Sequence, residues 1–152
     1  MTEERLTKNV IKWLKINNWE IICYDFPQSG TGISLHPNPE VRLDSKNKGG
    51  IIPDIVAYRY GVVVFFENKD RFFKSDFEKV KFLHDTTIYS KAINKLLKNY
   101  KPNKIYYGVG GPSNKLFIPK AIEKKYLVDF IIAVNNTNVE IVYERVSIFN
   151  HD

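Results

Sequence analysis

The chain has 152 residues, 43% of them hydrophobic, 14% aromatic and 26% charged, with a net charge of +6. That length points to a single domain, residues 1–152, and ten Phe, nine Tyr and two Trp supply ample material for a packed core, which argues against an intrinsically disordered chain. With one cysteine there is no internal disulfide and no thiolate metal cluster, and the run Thr2-Glu3-Glu4-Arg5 does not read as a basic, apolar leader. No stretch approaches the roughly 18 apolar residues of a membrane span, so a soluble, cytoplasmic protein with no membrane partner is expected.

Taken in chain order, Thr2 to about Asn18 predicts an amphipathic helix. Leu6, Val10 and Leu14 lie on one side, Thr2 stands at the N-cap, and Glu3 and Glu4 occupy the first turn. Residues 19–24 are β-branched and aromatic and read as a strand that buries Cys23. The stretch from Pro27 to Gly50 is polar, holds three prolines and has no periodicity, as a functional loop or a disordered insertion would. Residues 51–59 and 61–69 read as two further strands. The second of these is apolar on both faces until Glu67, which suits a central strand covered on both sides. Ser75-Asp76-Phe77-Glu78 matches a capping box and should open a helix. A second helix is expected over residues 88–99, a strand over 105–109, a short helix over 119–125, and a hairpin around Asn135–Asn138. Gly30-Thr31-Gly32 and Gly108-Val109-Gly110-Gly111 lack phosphate-loop spacing and read as turns. The order describes a mixed α/β domain, a central β-sheet flanked by helices.

The positive charge is concentrated. Between Thr86 and Ile122 there is no acidic residue and there are seven lysines, so that segment carries +7 and the remainder −1. Lys91, Lys95 and Lys98 recur at helical spacing, away from Ile88, Ala92, Ile93, Leu96 and Leu97. They form either a solvated helix face or a surface that tracks phosphates.

Two features carry chemistry: Asp54 preceded by Pro53 in an apolar strand, and Glu67-Asn68-Lys69 at the end of the most apolar segment. Glu67 and Lys69 share a strand face, because side chains alternate with period two. If the two strands pair through a turn at Tyr60-Gly61, Asp54 and Glu67 arrive side by side at one end of the sheet. Two carboxylates plus the carbonyl oxygen of Asn68 are hard oxygen ligands that suit Mg2+, with Lys69 next to the metal. The plainer reading is an ion pair at a sheet end.

Pro53-Asp54, twelve intervening residues and then Glu67-Asn68-Lys69 resemble the signature of the PD-(D/E)xK nuclease superfamily. The order helix, three strands, helix, strand resembles its restriction endonuclease-like core over about residues 1–110. The resemblance implies a metal-dependent endonuclease, with Asp54 and Glu67 on a catalytic Mg2+, for which Mn2+ substitutes, and Lys69 as the catalytic lysine. It also implies a Glu from the first helix beside the metal. Glu3 fits best because it shares a face with Leu6, Val10 and Leu14, Glu4 is the alternative, and both also serve as ordinary first-turn charges. The expected partner is double-stranded or branched DNA met by a homodimer, since a two-fold dimer matches a palindromic duplex. DNA contacts are expected from Arg42, Lys46 and Lys48 of the long loop, together with its Gln28, Ser29 and Asn38, and from Lys91, Lys95 and Lys98. The leading expectation is a small type II restriction-type enzyme. A junction-selective nuclease resembling archaeal Holliday junction resolvases, or a silent DNA-binding subunit of the same fold, are the alternatives.

Overall fold

The computed structural model describes residues 1–41 and 49–149, so Arg42, Lys46 and Lys48, three of the expected DNA contacts, lie outside the described residues. The elements are α1 (Glu3–Ile16), β1 (Glu20–Tyr24), β2 (Ile55–Arg59), β3 (Val62–Asn68), α2 (Lys74–Asp85), α3 (Ser90–Leu96), β4 (Lys104–Pro112), α4 (Ile118–Glu123), a 3-10 turn at Lys125–Leu127, β5 (Phe130–Val134) and β6 (Val139–Glu144). The six strands form one mixed sheet in sequence order. β3, β4 and β5 run parallel, and the flanking pairs are antiparallel. Among the described residues, no helix is long and apolar enough to cross a membrane.

Alternation along the strands divides the core into two layers. On one face Leu6, Val10 and Leu14 of α1 pack with Ile55, Ala57, Val64, Phe66, Phe130 and Ile132, and with Ile148 and Phe149 near the end of the chain. The opposite face carries Val56, Val63, Phe65, Tyr107, Val109 and Ile131 under Phe77 and Val80 of α2, Leu97 and Ala121. Burying each Val, Leu, Ile or Phe side chain among these stabilises the fold by roughly 1.5–3 kcal/mol. α1 begins as expected, with Thr2 Oγ1 accepting from the Arg5 N–H at 3.1 Å.

β2 and β3 are joined by Tyr60 and Gly61 alone, both at positive φ (49° and 81°), the left-handed pair that a twisted two-residue hairpin requires. This turn holds the register Arg59↔Val62 through Ile55↔Phe66. Beyond it the Asp54 N–H bonds Phe66 O at 3.1 Å, which keeps Asp54 beside the end of β3.

Four expectations are corrected. The strand foreseen from Ile51 starts at Ile55, because Pro53 has no N–H for the ladder; Ile51 pairs instead with Leu35. α2 starts at Lys74 with Phe73 as its N-cap, so Ser75 lies inside the first turn and no capping box forms. Phe72 packs on Phe77, ring centroids 5.4 Å apart, and this apolar staple across the helix start sets the entry point. α3 ends at Leu96, which leaves Lys98 beyond it. The Gly108–Gly111 run is no turn but the middle of β4, where the strand passes close beneath large neighbours: a Cβ would strike the Phe130 ring at Gly108, Asn68 Oδ1 at Gly110 and the Phe117 ring at Gly111.

Gly61→Ala should cost about 1–2 kcal/mol, because the added Cβ is strained at φ 81° and meets Asn103 Nδ2 at 2.8 Å. The urea midpoint should fall with an unchanged m-value; an unchanged midpoint would mean that the turn does not set the register.

Candidate functional site

The end of the sheet where β2 begins and β3 stops collects most of the chemistry. Asp54 and Glu67 lie close together at this end, Glu67 on the layer shared with Phe65 and α2. The Asn68 N–H donates to Asp54 Oδ2 at 2.6 Å, which pins the aspartate to the neighbouring strand. Glu67 Oε1 pairs with Lys79 Nζ at 3.2 Å, from the second turn of α2. Lys69, just past β3, pairs with Glu3 Oε1 at 3.4 Å, from the first turn of α1. Asp76, in the first turn of α2, has a buried Oδ2 with no hydrogen-bond partner.

The electrostatics follow from crowding acids in a half-buried place. Burial, then repulsion from Glu67 and Glu3, pushes the Asp54 carboxyl up to about 8, although the Asn68 N–H and Lys79 pull the other way. Burial and Glu67 likewise raise Asp76 to about 6, against Lys69 and Lys79. Burial by itself would depress the Lys69 ammonium, but Glu3, Asp76 and Glu67 hold it above the usual lysine range. Asp129 provides the contrast. It too is buried, but its oxygens accept from the Tyr107 N–H at 2.9 Å and pair with Arg145 at 3.1 Å, a satisfied structural carboxylate. Asp54 and Asp76 are instead crowded by Glu67 and Glu3.

Glu3, Asp54, Glu67 and Lys69, singled out in the sequence, therefore come together. Glu4 does not join them; it is exposed and pairs with Lys8 at 3.0 Å. Asn68 contributes its backbone only. Its side-chain amide is fully buried on the α1 face, with Nδ2 3.3 Å from Thr7 Oγ1. Two residues that sequence reasoning missed complete the cluster, Asp76 and Lys79. They sit three apart on α2 and so share a helix face; the signal was present in the Ser75–Glu78 stretch, but reading it as a cap hid the Asp. Among the described residues no three His, Cys, Asp or Glu side chains form a ready-made metal cage. The donor set nevertheless fits Mg2+, which is held by one or two carboxylates and keeps several waters, and the unpartnered Asp76 oxygen is an acceptor in want of a cation.

The remaining expected contacts lie elsewhere. Lys91, Lys95 and Lys98 are exposed on and after α3, with Lys91 paired to Glu40 at 3.1 Å. Asn38 is no nucleic-acid contact: it is buried and holds the start of α3, its Nδ2 donating to Thr87 O and Ser90 Oγ and its Oδ1 accepting from the Lys91 N–H. Ser29 is tied to Asp25 at 3.1 Å within its own turn. Cys23 is buried, and burial pushes its thiol up to about 11. No family model matches the chain, and no curated protein or solved structure matches it either.

The metal-free protein should lose stability as pH rises from about 4 to about 8, because folded Asp54 keeps a proton that the unfolded chain releases near the ordinary 3.8. Urea midpoints measured across that window should fall, and Asp54→Asn should flatten the trend. A midpoint that rises with pH in the wild type would contradict the crowding.

Proposed function

We propose that the chain is a Mg2+-dependent endonuclease of the PD-(D/E)xK type, with a restriction endonuclease-like core, that hydrolyses phosphodiester bonds in DNA as a homodimer. The observation that carries this reading is the register of the β2–β3 hairpin. It brings Asp54 to the end of β3 beside Glu67, with Lys69 two residues on and Asp76 Oδ2 buried and unpartnered nearby. A structural ion pair would leave the acids neutralised; here four carboxylates meet two ammonium groups, and two of the acids are pushed up in pKa. An excess of acid at a protein surface is suited to a divalent cation.

In this reading Asp54 and Glu67 would hold the metal, with Asp76 as a further acid close to Glu67. When bound, the metal would lower the pKa of a water and polarise the phosphoryl oxygens. The chain's own residues do the rest. Lys69, kept charged by Glu3, acts as a proton-bearing donor that stabilises charge on the phosphate as the transition state forms, and not as a general base. Glu3 positions that ammonium. Lys79 neutralises Glu67 in the metal-free protein. Two copies related by a two-fold axis would bring one such site to each strand of a duplex.

Purified protein incubated with plasmid DNA should cut in Mg2+ or Mn2+ and not in EDTA. Lys69→Ala and Asp54→Asn should each lower the rate by about 10²–10³-fold, with unchanged circular dichroism. Asp76→Asn should also lower it, and should weaken the Mg2+-induced rise in melting temperature. Discrete fragments identify a restriction-type enzyme, and preference for four-way junctions a resolvase; no cleavage of either substrate with any divalent metal would sink the reading. Replacing Lys91, Lys95 and Lys98 together by Gln should reduce the salt dependence of DNA binding by up to about three in log–log slope. An unreduced slope would mark them as a solvated face.

A further inference from the structure

At the end of the sheet that holds Glu67 and Lys69, β4 leaves the neighbouring position and enters the loop Ser113–Phe117, because Lys69 N–H still bonds Gly110 O at 3.1 Å. This loop displays Leu116 with 75% of its surface exposed, the most exposed large apolar side chain among the described residues. Loops that expose an apolar residue by accident are loosely tied; this one is not. Asn114 Oδ1 accepts from the N–H groups of Leu116 (3.0 Å) and Phe117 (2.8 Å), the Asn114 N–H reaches Pro112 O at 3.0 Å, and the Ser113 N–H bonds Val134 O of β5 at 2.8 Å. Phe117 is buried against Gly111, which anchors the far side. Leu116 is thus held out into solvent by a well-bonded frame at the same end of the sheet as the site.

Its surroundings indicate what it meets. Lys115 and Lys120 flank it, exposed and with no ion-pair partner among the described residues, inside the segment that carries +7. The adjoining loop, which leaves β3 next door, repeats the pattern: Phe73 is 39% exposed, with Arg71 5.5 Å from its ring. A protein interface depletes lysine around its apolar centre and needs roughly 1,200–2,000 Å² of contact, which one leucine tip does not provide. Apolar tips set among cations are what proteins use to open a base step in a phosphate-lined duplex.

We propose that Leu116 is a wedge that enters a base step of double-stranded DNA from the minor groove, while Lys115 binds the adjacent phosphates; this inference rests on the nuclease reading of the neighbouring site. The wedge unstacks and unwinds the duplex next to the phosphate presented to Lys69.

The test is relaxation of a closed circular plasmid by a type IB topoisomerase in EDTA, with saturating protein, followed by removal of protein and gel analysis of linking number. Wild-type protein should lower the linking number. Leu116→Ala should lose that shift and bind plasmid about tenfold more weakly, and Leu116→Met should restore both. A shift as large with Leu116→Ala as with wild type overturns the wedge, as does a change in native mass on substitution, which would make Leu116 a contact between copies. Failure of the two readings is separable. Protein that unwinds but never cuts in Mg2+ keeps the wedge and loses the nuclease, whereas protein that cuts without unwinding loses the wedge alone.

Discussion

The two-residue turn at Tyr60-Gly61 is the constraint on which the rest depends. A hairpin with no slack in its loop has one register, and a slip of one residue would turn every side chain of β3 to the other face. Val63 and Phe65 would then leave the α2 layer, and Glu67 would leave Asp54. Core and site are therefore specified by the same turn: the alternation that buries Val64 and Phe66 under α1 is the alternation that sends Glu67 towards α2. The site cannot be lost by register shift without losing the core as well.

Placing the site at a strand end resolves a conflict between burial and charge. Phe65 and Phe66 need a dry sheet, whereas Glu67 and Asp54 need partners, and the last residue of a central strand is where the two environments meet. Helices supply the partners from both sides, Glu3 from the start of α1 and Asp76 and Lys79 from the start of α2. Three elements thereby contribute residues from the first two turns of a helix or the end of a strand, each fixed by its own packing: α1 by Leu6 and Val10, α2 by the Phe72–Phe77 contact, β3 by both layers.

Features written in local pattern were legible in the sequence. Thr2 before an apolar stripe marked α1, and the unbroken apolar run before Glu67 marked a strand covered on both faces. Because the turn at Tyr60-Gly61 is so short, the spacing from Asp54 to Glu67 could be converted into a position in space. What escaped was whatever depends on contacts distant in sequence. Gly108–Gly111 has the composition of a turn, and only Phe130, Asn68 and Phe117 pressing on it explain why glycine is required inside a strand. Asn38 has the chemistry of a base contact, but tertiary packing uses all of it at the start of α3. Asp76 looked like part of a cap because nothing in its neighbourhood along the chain reveals that Glu67 and Lys69 lie beside it.

The distribution of charge follows from this architecture. The acids gather where β2 begins and β3 ends, because only there do α1, α2 and the central hairpin converge; the +7 segment is the part of the chain that forms α3, β4 and the approach to α4. Since β4 pairs with β3 in parallel, the acidic strand end and the lysine-bearing loop after β4 must emerge at the same side of the sheet, about 4.8 Å apart per strand spacing. A polyanion of the kind proposed as substrate would meet Lys115 and Lys120 at the same end of the sheet as Asp54, Glu67 and Asp76. Such a ligand would approach those acids closely only with cations between, and Asp54 and Asp76, raised by burial and then by Glu67, are the groups that would gain most from taking one up.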